Sequence, residues 1–273
     1  MAGNIRSGSV PAGTTEMEYA TFGSGDRNLI VLPGLSDGLA TVKGKALLLA
    51  KPYLPVLEEF TVTMFSRIND MPEGYSMRDM AEDQWKVLDA MGIRTCSVLG
   101  VSQGGMIAQC LAASRPERME KLILAVTAPR ANDLVKDCVT RWMEDARRGD
   151  HRQLMIDTAE DSYSPERLKK YRKMYPLLGA VGRPRSYDRF FANGSAILSF
   201  DIEKDLERIT CPTLILGGEE DRIVGAEASR ELHARIPGSE LFLYPGLGHA
   251  AYEEAPDFYS RVFEFLNRPS EAV

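Results

Sequence analysis

A chain of 273 residues with 44% hydrophobic and 26% charged residues is composed like an ordinary globular protein, long enough for one α/β domain or for one domain carrying an insertion. The formal net charge of −6 argues against nucleic acid as a main ligand. No N-terminal stretch has the apolar core of a signal peptide and no apolar run is long enough to span a bilayer, so no membrane partner and a cytoplasmic location are expected.

In chain order, short apolar runs predict strands at residues 17–22, 28–32, 60–65, 95–99, 121–126, 213–216 and 240–244. Helical patterning predicts helices over 80–91, 106–113, 226–236 and 257–266. Strands that alternate with helices are the pattern of an α/β fold, a mostly parallel central sheet flanked by helices on both faces. From about residue 130 to about 200 the strand signals stop and the chain turns helical and charged, with breaks at Gly149, Pro165, Gly179 and Pro184. This predicts a helical cap, 130–200, inserted into a core built from 1–129 and 201–273. Trp142, Met143, Leu154, Met155 and Ile156 supply too much apolar surface for a disordered segment. The cysteines Cys96, Cys110, Cys138 and Cys211 lack any Cys-x-x-Cys spacing and read as reduced, structural residues.

The most informative local motif is Gly100-Val101-Ser102-Gln103-Gly104, entered from a predicted strand and left into a predicted helix. A Gly-x-Ser-x-Gly turn of this kind is a nucleophile elbow, with the serine hydroxyl pushed into the open and the glycines making room for a close backbone approach. Serine alone is a poor nucleophile at neutral pH and needs an imidazole and an orienting carboxylate. Of three histidines, His151 sits among Arg147, Arg148, Asp150 and Arg152 and reads as a solvated helix-end residue, and His233 reads as a surface position on a helix. His249 differs: it lies on a glycine-bearing loop directly after an apolar strand, where a ring can be aimed into a site at the sheet edge. The carboxylate is expected after a strand between serine and histidine, which selects Asp221, with Glu219 and Glu220 as rivals in the same loop and Asp133 as a distant substitute. Backbone donors for an oxyanion are expected from Gln103, the residue after the serine, and from Leu35, behind Pro33-Gly34 on the loop after an early strand.

With these residues in place, the chain resembles the α/β-hydrolase family, specifically single-chain members with a helical cap inserted after the sixth core strand. The resemblance is carried by Val31-Leu32-Pro33-Gly34-Leu35, by the elbow, by Cys211-Pro212-Thr213-Leu214-Ile215-Leu216-Gly217-Gly218 with the acidic loop behind it, and by Gly248-His249. It implies Ser102 as nucleophile, Asp221 as orienting acid, His249 as base, and Leu35 with Gln103 as oxyanion amides. Two departures stand out: Pro33-Gly34 replaces the family's frequent His-Gly, and Phe65-Ser66-Arg67-Ile68-Asn69-Asp70 replaces its Arg-Gly-x-Gly loop.

The resemblance implies a serine hydrolase acting on a small-molecule ester or lactone. A serine at the elbow sets the chain apart from the family's dehalogenases, which use aspartate there, and Ala250 stands where carbon–carbon bond hydrolases commonly carry tryptophan. A thioesterase, an acyltransferase, a lyase, a perhydrolase, a carbon–carbon bond hydrolase using the same triad and a non-hydrolytic, receptor-like binding protein of the same fold stay open as alternatives, as does a homo-oligomer. The scattered histidines have no zinc-ligand spacing and the elbow does not match a dinucleotide fingerprint, so neither metal nor cofactor is expected. Residues 130–200 carry 14 Lys and Arg against 10 Asp and Glu, a balance of +4 in a chain of −6. That asymmetry either steers an anionic acid or lactone to the mouth or is only the wet face of helices.

Overall fold

The alternation of apolar runs folds into a single sheet. Its strands are β1 (Arg6–Ala12), β2 (Thr15–Phe22), β3 (Arg27–Leu32), β4 (Phe60–Ile68), β5 (Cys96–Val101), β6 (Met119–Ala125), β7 (Thr213–Gly218) and β8 (Glu240–Tyr244), lying in the order β1-β2-β4-β3-β5-β6-β7-β8. The computed structural model describes residues 4–179 and 182–269, so residues 1–3 and 270–273 of the predicted core and 180–181 of the predicted insertion lie outside the described residues. Strand β1 pairs antiparallel with β2 and β2 with β4, and every pairing from β3 onward is parallel. Parallel neighbours end at the same edge, which sends the loops after β3, β5, β6, β7 and β8 to one side of the molecule.

Both faces of the sheet are covered, which is why the central strands read as unbroken apolar runs. On one face Ile30, Leu32, Val98 and Leu122 pack with Trp85 and Leu88 of α2 (Met77–Ala90), Ile107 and Leu111 of α3 (Gln103–Ser114) and Leu232 of a later helix spanning Ala226–Arg235. On the other, Leu29, Val31, Leu99 and Ile123 pack with Tyr53 and with Val262 and Leu266 of a last helix over Phe258–Asn267. Alternate residues of β3 thus feed opposite cores, as the two-residue period of a strand requires.

Three differences from the sequence reading have local causes. Strand β1 was not expected: Pro11 and two serines dilute its pattern, and as an edge strand it needs only Val10 and Ala12 buried. Helix α2 starts at Met77 and not at residue 80 because Ser76 and Asp79 close a capping box, Asp79 N–H donating to Ser76 Oγ at 3.2 Å and Ser76 N–H to Asp79 Oδ2 at 2.9 Å. Helix α3 starts at Gln103 and not at residue 106 because Ser102 itself is the residue that precedes its first turn.

After β6 the chain makes a helical excursion consisting of α4 (Asp133–Arg147), α5 (His151–Ser162), α6 (Pro165–Tyr171), a 3-10 helix over Arg172–Leu177 and α7 (Asp188–Leu198). It closes on itself: Ala131 N–H donates to Phe200 O at 2.9 Å and Ile202 N–H to Pro129 O at 3.0 Å. Helix α8 (Ala226–Arg235) then follows β7, and α9 (Ala251–Glu254) and α10 (Phe258–Asn267) follow β8, while a short α1 (Ala46–Ala50), also unexpected from sequence, lies between β3 and β4.

Helix α3 crosses the end of β3 at close range. A Cβ on Gly104 would stand 1.9 Å from the carbonyl oxygen of Leu32, a backbone atom that cannot swing aside. Gly104→Ala is therefore expected to lower unfolding free energy in urea by about 3 kcal/mol or more. Gly74→Ala, at φ +72° with no neighbour within 4 Å, is expected to cost only about 1 kcal/mol.

Candidate active site

Ser102 sits on the turn between β5 and α3 with φ 54° and ψ −119°. It shares positive φ with one other non-glycine residue among those described, Val126 at φ 45°, just past the end of the adjacent strand β6. Such conformations persist only where neighbours hold them. Here Ser102 N–H donates to Ala125 O at 2.9 Å, Val126 N–H to Leu216 O at 2.7 Å, and Thr127 Oγ1 to Ser102 O at 2.7 Å.

The loop after β7 carries Asp221 and the loop after β8 carries His249. The two loops are stitched together by Glu220 N–H donating to Leu247 O at 2.9 Å and Glu219 N–H to Tyr244 O at 3.1 Å. His249 Nδ1 lies 2.9 Å from Asp221 Oδ2, and its Nε2 lies 2.9 Å from Ser102 Oγ. A carboxylate can only accept, so Nδ1 carries the proton and Nε2 is left to accept from the serine hydroxyl. Asp221 Oδ1 accepts from the backbone amides of Ile223 at 2.9 Å and Val224 at 3.0 Å. Burial pushes the Asp221 carboxyl pKa up, but His249 and these two amides outweigh it and hold the group below the ordinary carboxylate range. Glu219 and Glu220, the rivals in the same loop, are exposed, as is Asp133 at the start of α4, and none of them bonds the imidazole.

His233 is exposed on α8, as expected, but His151 is not a solvated helix end: it is 2% exposed, with Nδ1 3.0 Å from Tyr187 Oη. The loop ahead of α7 folds over the start of α5 and takes that ring out of water, a tertiary contact that its charged sequence neighbours conceal.

Gly34 and Leu35 lie on the loop after β3, beside the serine. A Cβ on Gly34 would stand 3.3 Å from Ser102 Cβ, and Leu35 opens a 3-10 helix spanning Leu35–Gly38. Gln103 opens α3. Both backbone N–H groups fall in a first helical turn, where no helical acceptor exists, so both are free to serve an anion beside Ser102.

Behind this loop lies a buried charge cluster that sequence reasoning missed. Asp37 is fully buried, Arg67 at the end of β4 is 3% exposed and Arg189 of α7 is 17% exposed. Arg67 Nη2 donates to Pro33 O at 2.6 Å and to Gln103 Oε1 at 3.1 Å. Arg189 Nη2 donates to Asp37 Oδ2 at 2.6 Å. Burial pulls the Arg67 pKa down to about 10, against the opposing pull of Asp37, which leaves it charged at neutral pH. The sequence signal was the departure at residues 65–70, which contains Arg67, but nothing in it announces partners 30 and 122 residues away.

A cavity of about 190 Å³ opens onto His249. Its walls include Met155 and Ala159 of α5, Tyr163, Tyr171 and Tyr252, and its acidic member is Glu253, which accepts from Tyr163 Oη at 2.7 Å. Among the described residues no Lys or Arg lines it. Basic residues of the insertion are engaged elsewhere, Arg141 with Asp157 and Asp161, Arg148 with Asp145, and Arg172 with Glu160. These pairs cancel within the insertion, so its positive balance is carried by other Lys and Arg residues, none of which lines this cavity. Among the described residues no group of three or more His, Cys, Asp or Glu is placed to hold a metal ion, and no helix is long and apolar enough to cross a membrane.

The arrangement can take a proton from a hydroxyl, hold the resulting cation against a carboxylate and offer amides to a developing oxyanion. A family model described as the alpha/beta hydrolase fold matches residues 61–256. The chain belongs to the α/β-hydrolase family. Among its relatives, a putative carbamate hydrolase RutD of Caulobacter sp. (strain K31) is 26% identical over 263 residues, covering 89% of this chain and 91% of that protein. A 2-hydroxymuconate semialdehyde hydrolase of Pseudomonas putida is 29% identical over 204 residues, covering 73% and 72%. The solved structure of MGS-M2, an alpha/beta hydrolase enzyme from a Medee basin deep-sea metagenome library, superposes with a TM-score of 0.84 at 21% identity, covering 97% of this chain and 99% of that one. The protein is a hydrolase of this fold.

Asp221 has a pH signature. A carboxyl whose folded pKa is depressed adds stability above its unfolded pKa of about 4, and that stability is lost as pH falls through the folded value. Asp221→Asn is expected to flatten the acid limb of stability against pH below about pH 4. Urea midpoints for both proteins across that range check this; parallel acid limbs would refute it.

Proposed function

We propose that the protein is a serine hydrolase that cleaves a small-molecule carboxylic ester or lactone through an acyl-enzyme on Ser102. The observation that carries this reading is the unbroken relay from Asp221 through His249 to Ser102, with both contacts at 2.9 Å. His249 Nε2 takes the hydroxyl proton as Ser102 Oγ attacks the carbonyl, and the Leu35 and Gln103 amides hold the oxyanion. Collapse expels the alcohol, which receives the proton from His249. Water, deprotonated by the same imidazole, then attacks the acyl-enzyme and frees the acid. Asp221 keeps the ring in the required tautomer and offsets its charge.

In this reading residues 130–200 act as the cap over the core 1–129 and 201–273, and α5 sets substrate fit through Met155 and Ala159 beside His249. The cavity's aromatic walls, with Glu253 as acidic member and no Lys or Arg, favour a neutral substrate with a compact apolar or aromatic group over an anionic one. A carbamate, the substrate class in the name of the RutD relative, presents Ser102 with the same kind of carbonyl and belongs in the substrate panel. Ala250, where the family's carbon–carbon hydrolases carry tryptophan, weighs against that chemistry. Four free, buried cysteines fit a reducing compartment, and we place the reaction in the cytoplasm.

Exposure to a small fluorophosphonate is expected to add one adduct to the wild type by intact mass and none to Ser102→Ala or His249→Ala. On neutral short-chain esters the same two variants are expected to lose about 10⁴-fold or more in kcat. A folded wild type that takes no label would refute the acyl-enzyme reading.

The insertion's charge balance makes a separate point. A neutral ester and its carboxylate-bearing analogue are expected to show kcat/KM values whose ratio changes little as salt rises from low ionic strength to about 0.5 M, where screening is strong. A preference for the anion that fades with salt would restore electrostatic steering.

A further inference from the structure

The segment from Pro33 to Gly38 must present Leu35 N–H to Ser102, yet it is poorly equipped to hold its own shape. A 3-10 helix of four residues with internal bonds of 3.0 to 3.2 Å is only one turn long. Its shape is held from outside. Arg67 Nη2 fixes the Pro33 carbonyl at 2.6 Å and Arg67 N–H fixes Asp37 Oδ2 at 3.1 Å. Arg189, from α7, donates Nε–H to Asp37 O at 3.0 Å and Nη2–H to Asp37 Oδ2 at 2.6 Å, while its Nη1 reaches Ile68 O at 2.6 Å. The other flank is tied to the same helix: Gln103 Nε2 donates to Asn193 Oδ1 at 2.8 Å, and Asn193 Nδ2 donates to Arg189 O at 2.8 Å. Backbone meets backbone here, since a Cβ on Gly38 would lie 2.9 Å from Phe190 Cα.

We propose that Arg189, with Asp37, Arg67 and Asn193, forms a clamp by which helix α7 positions both oxyanion amides, so that the insertion governs kcat through loop geometry as well as substrate fit. The inference rests on the reading of Leu35 and Gln103 as oxyanion donors. Burying two guanidinium groups against one carboxylate is costly, and apolar residues of similar volume serve stability at least as well. What such residues lack is direction. Two guanidinium donors hold the Pro33 and Asp37 carbonyls and a third holds the Asp37 carboxylate, which fixes the loop's peptide planes, and an amide that swings away from the forming oxyanion forfeits much of its effect on the transition state. None of the clamp side chains needs to touch substrate, so all four are positioning residues.

The test compares wild type with Arg189→Lys, which keeps the charge but cannot satisfy the same spread of acceptors with one nitrogen, and with Asn193→Ala as a second variant that leaves both arginines intact. Arg172→Lys, an exposed pair with Glu160 on the same insertion, is the control and is expected to behave as wild type. Arg189→Lys is expected to lower kcat on a neutral ester, and the fluorophosphonate labelling rate of Ser102, by about 30-fold with KM within about threefold. Amide hydrogen exchange of the peptide covering residues 33–38 is expected to quicken about tenfold while the core strands stay protected. Asn193→Ala is expected to lower kcat in the same direction with KM unmoved. A rise in KM with kcat intact, or unchanged exchange over 33–38 in both variants, overturns the clamp. If the wild type takes no label, the acyl-enzyme reading fails by itself, and the exchange measurement alone decides whether α7 orders the loop.

Discussion

The site depends on how closely helix α3 crosses the end of β3. With glycine at 104, the first turn of the helix can lie against the Leu32 carbonyl, which leaves Ser102 on its positive-φ turn beside the loop after β3. Because β3, β5, β6, β7 and β8 are parallel and adjacent, the loops that supply the serine, the carboxylate, the histidine and the two amides all leave the same edge. The sheet therefore does the long-range work of assembly, and each loop has only a few ångströms left to settle.

Two buried polar systems flank the serine, and they differ in kind. The Asp221–His249 pair is nearly saturated: the carboxylate accepts from the imidazole and from two backbone amides, so it stays ionised in spite of its burial. The Arg67–Asp37–Arg189 cluster has two cations for one anion and aims most of its bonds at backbone carbonyls of neighbouring loops. The first system orients one ring. The second joins three segments that are remote in the chain, the loop after β3, the end of β4 and helix α7.

Much of this was legible in the sequence because it is written in local patterns. Seven of the strands announce themselves as short apolar runs, since a strand buried on both faces has no polar side to dilute the signal. Ser102 is marked by its glycines, and His249 and Asp221 by loops that follow apolar strands. The elements that escaped have weaker local signatures. Strand β1 buries one face only at its tip, α1 is a single turn and a half, and His151 looks solvated from its neighbours although Tyr187, 36 residues on, covers it. Arg67 shows in the sequence only as part of the departure at residues 65–70, and it is the fold that seals it against Asp37 and Gln103.

By itself, the sequence determined the fold class, and it marked a helical stretch after β6 and the three residues joined by the hydrogen bonds from Asp221 through His249 to Ser102, because hydrophobic period, turn chemistry and chain order are properties of neighbouring residues. Only the tertiary structure decided the 2.9 Å contacts of that relay, the tyrosine-walled cavity beside His249 and the arginine cluster that ties α7 to the loop behind Ser102. These depend on which distant side chains share one desolvated volume, and burial, which sets both their geometry and their charge state, is a property of the packed chain and not of any stretch of it.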